Sequence, residues 1–287
     1  MALKDILVHL DNGSRGEARL NLAVALAQRH GAHLTGLYAA DIPNAEFFYG
    51  ATLPFAGAGA GAEEVVRRMR TDAVAASSGT EAMFRDRIRR DDVPGEWRFV
   101  EGPVPATVAL HARYADLTVV GQPNPYDPKQ EVNQDAIVVT PLMSSGRPIL
   151  IVPYAGNFLQ IGDHVLVAWN ASREAARAVN DALPLLERAQ KVTVLAVNPR
   201  QGIAAHGEVP AADIALHLAR HGVKAEAAHT FANDIADGDA LLSYAADIGV
   251  DLIVAGGYGH SRTREMVFGG VTRTLIEAMT VPVFLSH

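Results

Sequence analysis

The chain repeats itself. DILVHLD at 5–11 returns as DHVLVAWN at 163–170, ADLTVVG at 115–121 returns as VDLIVAG at 250–256, and RPILIVP at 147–153 is echoed by the apolar stretch 280–285. Matches that keep the same order along the chain indicate two copies of one unit. Each matched segment is a short apolar run of the kind that makes a buried strand. Between the runs, apolar residues recur at helical spacing. In 15–30, for example, Leu20, Leu22, Ala23 and Leu26 precede the stop signal Gly31. Alternating strands and helices predict an α/β fold of two tandem doubly wound domains, each a five-stranded parallel sheet with helices on both faces. Gly and Asn punctuate 154–162, which sets expected domains at 1–155 and 162–287.

Composition narrows the classes. With 49% hydrophobic and 20% charged residues, each copy can build an ordinary core. A formal net charge of -7 argues against nucleic acid as a partner. The absence of cysteine excludes disulfides, thiolate catalysis and Cys-based zinc sites. No apolar run is long enough to span a bilayer, and the first residues lack a secretory pattern, so a cytoplasmic protein without membrane contact is expected.

The stretch from 251 onward carries the most chemistry. The apolar run 252–255 leads into Gly256, Gly257 and Gly259, then a polar loop, then Gly269-Gly270-Val271-Thr272 at the start of a helical pattern. Glycines let a ligand approach the backbone, and a helix N-terminus offers unpaired N–H groups with a partial positive charge. An anionic ligand suits such a place. No Gly-Lys-Ser/Thr ending marks a Walker loop, and Arg262 stands where a dinucleotide fingerprint needs its third glycine.

The spacing Gly256-x2-Gly259-x9-Gly269, followed by Gly270-Val271-Thr272, resembles the nucleotide-binding signature of the universal stress protein family. Together with the repeat and the element order, the resemblance covers nearly the whole chain and points to the tandem two-domain type. It implies ATP or a related adenine nucleotide as ligand, with or without magnesium. Backbone near Val197 would meet adenine, and Asn170 stands where an aspartate usually meets ribose. Gly256 and Gly259, with Ala255 at the strand end, would line the path to the phosphates. Gly269, Gly270, Val271 and Thr272 would present N–H groups and one hydroxyl to them. The chain departs from the pattern at Asn170 and at Gly270, where Ser or Thr is usual. An Asn amide both donates and accepts, so it can still bond a ribose hydroxyl. His260, Arg262 and Arg264, between the glycine clusters, either fold over the phosphates as charge-assisted donors or sit on a solvated loop.

The first copy diverges at the same place. Its segment 121–128 has one glycine and prolines at 123, 125 and 128, which remove backbone donors, and no glycine pair opens its next helix. It keeps Asp11 where the family has its nucleoside-contacting aspartate. Residues 41–61, with Phe47, Phe48 and Tyr49, read as a long insertion, either a lid or a surface loop.

Other constellations are weaker. His217 and His221 share a helical face but have no third ligand at a motif spacing. Ser144-Ser145 has no base, and Asp234, Asp237 and Asp239 crowd a helix start, where carboxylates are favoured anyway. The function expected is adenine-nucleotide binding in stress response or signalling, through nucleotide-dependent conformation or a protein partner. A slow ATPase or phosphotransferase, and a nucleotide-free scaffold or small-ligand binder, are the alternatives. The resemblance also implies that the last strands of the two copies pair within the chain, and it is compatible with a homodimer.

Overall fold

A computed structural model of the chain describes residues 2–43, 58–126, 135–199, 209–258 and 269–287. The strands are β1 (Asp5–His9), β2 (His33–Ala40), β3 (Gly95–Glu101), β4 (Leu117–Gly121), β5 (Ile149–Val152), β6 (His164–Ala168), β7 (Lys191–Val197), β8 (Ala225–Thr230), β9 (Leu252–Gly256) and β10 (Val283–Ser286). They form one sheet in the order β3-β2-β1-β4-β5-β10-β9-β6-β7-β8. Neighbours are parallel except β5 and β10, which pair antiparallel with Phe284 opposite Leu150. The fold is therefore α/β with a mostly parallel, doubly wound sheet.

The helices are α1 (Gly16–His30), α2 (Ala58–Arg90), α3 (Val104–Ala112), α4 (Ala136–Ser144), α5 (Arg173–Leu186), α6 (Ala212–Arg220), α7 (Asp237–Asp247) and α8 (Gly270–Ala278). Strand alternation sorts them onto two faces. Ile6, Val8, Val165 and Val167 point to the face covered by α1, α2, α5 and α6. Leu7, Leu166, Ile253 and Leu285 point to the face covered by α3, α4, α7 and α8. Burial on both faces explains why the strands read as continuous apolar runs.

The sequence repeat is a repeat of contacts. Asp116 accepts hydrogen bonds from the amides of Lys4 and Asp5, and Asp251 accepts from those of Gly162, Asp163 and His164. Each carboxylate thus ties the approach to a fourth strand to the start of its first. Arg29 at the end of α1 donates to the carbonyl of Arg188, which donates back to the carbonyl of Arg29, across the two halves. On the second sheet face, Gln122 donates to the carbonyls of Ile276 and Glu277 and accepts from the amide of Tyr154.

Within the insertion expected at 41–61, residues 44–57 lie outside the described residues. Helix α2 already begins at Ala58, so the Ala/Gly end of that segment is helical rather than loop. Alanine at 58, 60 and 62 is the strongest helix former and outweighs the intervening glycines. Phe84 anchors α2 to the sheet, fully buried over Gly36, whose added β-carbon would lie 2.7 Å from the Phe84 ring. The arginines that close α2 pair with carboxylates of their own helix or just beyond it: Arg85 with Glu81, Arg89 with Asp86 and Arg87 with Asp91.

Two expectations follow. Phe284 is fully buried at the β5–β10 seam, so Phe284→Ala should cost about 3–5 kcal/mol in urea unfolding. Met69→Ala on the exposed side of α2 should stay within about 0.5 kcal/mol. His9 and His30 are buried, and burial, with the cations Arg19 and Arg188 respectively adding to it, pushes both down to about 4. Both are neutral in the folded chain and take a proton near pH 6.5 when unfolded. Their contribution to stability is full above about pH 6.5 and is lost as pH falls toward 4, by about 1.4 kcal/mol per pH unit for each. The pH dependence of the unfolding free energy checks this, and His30→Leu should flatten it by one proton. An unchanged slope would refute the assignment.

Candidate functional site

At the carboxyl ends of β6 and β9 the sheet order reverses, with β7 on one side of β6 and β9 on the other. Such a switch point leaves a crevice between the connections. Here it is a cavity of about 160 Å3 lined by Ala168, Trp169, Asn170, Ser172, Leu195, Val197, Asp237, Leu241, Ala255, Gly256, Gly269, Gly270, Val271 and Thr272.

Each wall has a local cause. After β6 the chain turns through Ala171 at φ 57°, and the Asn170 side-chain Oδ1 accepts the amide of Ser172 at 3.1 Å. That leaves the Asn170 side-chain NH2 for other partners. The Ser172 hydroxyl caps α5 by accepting the Ala175 amide at 3.1 Å. Gly256 lets α5 approach the end of β9: an added β-carbon would lie 2.5 Å from the Ala175 nitrogen. Its absence of a side chain is required by backbone packing, whatever else passes it.

The opposite wall is made by the starts of α7 and α8. They lie close because Gly238 faces Thr274, with only 2.6 Å between an added β-carbon and the Thr274 Cβ. Asn198, at φ 45° after β7, holds the α7 start. Its side-chain NH2 donates to Asp237 at 2.7 Å and to the carbonyl of Ala232, and its oxygen accepts the amide of Ala232. Helix α8 begins at Gly270 with Gly269 as N-cap and no side-chain cap. Its first-turn N–H groups have no intrahelical partner, and the helix dipole places partial positive charge there. An added β-carbon at Gly269 or Gly270 would meet nothing within 4 Å among the described residues. The Thr272 hydroxyl is buried and accepts the Tyr258 amide at 3.2 Å, joining the end of the β9 segment to α8.

The arrangement has apolar walls (Leu195, Val197, Leu241, Val271), a polar rim (Asn170, Asp237) and one open helix N-terminus. It suits a flat apolar ring system carrying hydroxyls and an anionic group. Of the residues expected from sequence, Asn170, Val197, Ala255, Gly256, Gly269, Gly270, Val271 and Thr272 are brought together. Gly259, His260, Arg262 and Arg264 lie outside the described residues. Trp169, Leu195, Asp237 and Leu241 were not expected. Asp237 carried a signal, the acidic helix start, but nothing in its spacing tied it to a cavity.

Two other features lie elsewhere. A shallow depression of about 520 Å3 lies between α1 and the approach to β6. Its charged residues, Arg29 and Asp163, are 3.6 Å apart, and Arg29 also bonds the carbonyls of Ile161 and Arg188. The rings of His217 on α6 and His221, its C-cap, lie 4.7 Å apart, and no third metal-ligating side chain joins them among the described residues.

The two kinds of glycine predict opposite outcomes. Gly256→Val should destabilise by roughly 1–3 kcal/mol or more, because α5 backbone must shift. Gly269→Val should change stability by less than about 0.5 kcal/mol. Thermal unfolding of the two variants reads this directly, and equal losses would mean that Gly269 is also a packing glycine.

Comparison with solved structures gives the same fold over the full chain. A universal stress protein from Archaeoglobus fulgidus DSM 4304 aligns over 98% of this chain and 95% of its own, at 15% identity and a TM-score of 0.69. A functionally unknown protein from Pseudomonas aeruginosa PAO1 aligns over 99% and 92%, at 13% identity and a TM-score of 0.61. At such identities the likeness speaks for the fold alone. No curated protein sequence matches the chain. The family model described as the Universal stress protein family matches residues 162–287, the half that holds the cavity. Residues 162–287 thus resemble the universal stress protein family, and the full chain shares its α/β fold with the solved structures.

Proposed function

We propose that the second half binds an adenine nucleotide, ATP or a close relative, and that occupancy sets a conformation or recruits a protein partner in a cytoplasmic stress or signalling response. In this reading the chain is two domains, 1–155 and 162–287, and the second is the loaded one. The observation that carries the reading is the uncapped start of α8 facing an apolar slot, with no neighbour to a β-carbon at Gly269 or Gly270 among the described residues. Adenine is assigned to the apolar walls at Leu195, Val197 and Leu241. Ribose hydroxyls are assigned to the Asn170 NH2 and the Asp237 carboxylate, which accepts. Phosphates, with or without magnesium, are assigned to the N–H groups at 270–272. On sequence grounds Gly259, and one of His260, Arg262 and Arg264, are assigned to the phosphate end.

The test is calorimetric titration of nucleotide-stripped protein with ATP, ADP and AMP, with and without magnesium. Saturation at one site per chain is expected, lost in Gly269→Val while the thermal midpoint is kept. Asp237→Asn should weaken binding about five- to tenfold, in keeping with about 1 kcal/mol for one hydrogen bond. No heat and no thermal shift with any nucleotide would overturn the reading.

A further inference from the structure

The seam between the halves holds two equivalent positions with unequal side chains. Gly121 pairs with Val152 as Gly256 pairs with Ser286. One residue on, the amide of Gln122 donates to the carbonyl of Val152, and the amide of Gly257 donates to that of Ser286. Gln122 and Gly257 are therefore counterparts. Counted back from the last strand of each half, Leu142 on α4 and Ile276 on α8 are counterparts too.

Each of these positions faces the other half's helix, with different results. Gly257 has no side chain, and Leu142 fills the space, its Cδ2 2.8 Å from where a β-carbon would stand. Gln122 instead reaches the end of α8. Its side-chain NH2 donates to the carbonyl of Ile276 at 2.8 Å and to that of Glu277 at 3.2 Å, while its Oε1 accepts the amide of Tyr154 at 3.0 Å. The side chain is 5% exposed, so both ends of a buried amide are spent on the seam.

These bonds cap a helix. The last carbonyls of an α-helix have no partner within it. Helix α8 ends where the chain turns away at Met279 (φ -58°, ψ 139°), and the first half supplies the donors its last turn lacks. The opposite end of α8 is the bare start at Gly270 in the cavity wall. A helix of 9 residues is about 14 Å long and moves as one body, so a hold on its last turn also sets its first. Within the second half, α8 is held by the Tyr258 amide on the Thr272 hydroxyl and by Thr274 against Gly238. Hydrogen bonds weaken steeply with misalignment, so N–H groups that share one anion depend on where the helix stands.

We propose that Gln122 is a positioning residue for the anion end of the second-half site: the first half caps the C-terminus of α8 and thereby fixes where its N-terminal N–H groups stand. The support runs one way, because Gly257 has no side chain with which to cap α4. The ligand side of the proposal rests on the nucleotide reading of the second half. The hold on α8 rests on the contacts alone.

The experiment uses Gln122→Met, which keeps an unbranched side chain of similar volume and removes the donors. In the ligand-free chain, hydrogen–deuterium exchange should quicken in α8 and stay unchanged in α4. Titrated with ATP, the variant should bind about three- to thirtyfold more weakly than the unaltered protein. Adenosine, which has no phosphate, should bind both alike. A general loosening of the fold weakens both ligands together, so equal losses overturn the proposal, as does an unchanged ATP affinity. If the variant does not unfold cooperatively, the unaltered protein decides: by reciprocity, saturating ATP, and not adenosine, should slow exchange of the Tyr154 amide that donates to Gln122. Equal exchange with the two ligands overturns the proposal. Failure of the unaltered protein to bind any nucleotide overturns the reading of the second half, whereas unchanged α8 exchange in Gln122→Met overturns the role of Gln122 whatever the ligand.

Discussion

The antiparallel pairing of β5 with β10 is the constraint on which the rest of the molecule depends. A parallel sheet that stops at a strand leaves a row of unpaired N–H and C=O groups. Here each half's last strand closes the other's, with Val283, Phe284 and Leu285 opposite Ile151, Leu150 and Ile149, all fully buried. Because that one junction is antiparallel and every other is parallel, the strands of the two halves run in opposite senses. Their carboxyl ends, and the crevices there, face opposite ends of the sheet.

The same geometry gives the helices of the seam a double duty. Helix α8 starts at the second-half cavity with Gly270 and ends near the first half, where its Ile276 and Glu277 carbonyls accept from Gln122. Gln122 follows Gly121, the glycine against which Arg19 packs. In return, Gly257, next to Gly256, leaves room for Leu142 of α4, 2.8 Å from where its β-carbon would stand. Each crevice is thus one residue away from a contact with the other half. The backbone is symmetric at this level, and the side chains are not.

That asymmetry separates scaffold from chemistry. Asp116 and Asp251 do the same structural work in both halves, and so do Arg29 and Arg188. At the end of the first strand and on the helix after it, His9 and Arg19 stand where the second half has the small residues Ala168 and Ala178. One half holds a cavity with a bare helix start, and the other holds the Arg19–Asp11 ion pair beside Gly121. A fold tolerates this because side chains beyond the strand ends are free of the ladder that fixes the core.

Much of this was legible in the chain. The repeat and the alternation of apolar runs with helical spacing carried the α/β class, since periodicity reports which face of an element is buried. The glycine spacing pointed to the stretch that lines the second-half cavity, since backbone approach needs residues without side chains. Other features were decided only by tertiary structure. That Gly256 serves helix packing while Gly269 has no such neighbour among the described residues depends on what lies across from each, and both read alike as letters. Asp237 and Leu241 line the same cavity as Asn170 because α7 packs against β7, beside β6, which brings together segments far apart in the chain. Arg19 reads as one polar residue on a helix, and only the packing of α1 against β4 sets its guanidinium between Asp11 and Gly121. Sequence fixes the local preference of each element, while the neighbour across a gap is chosen by the packing of the whole.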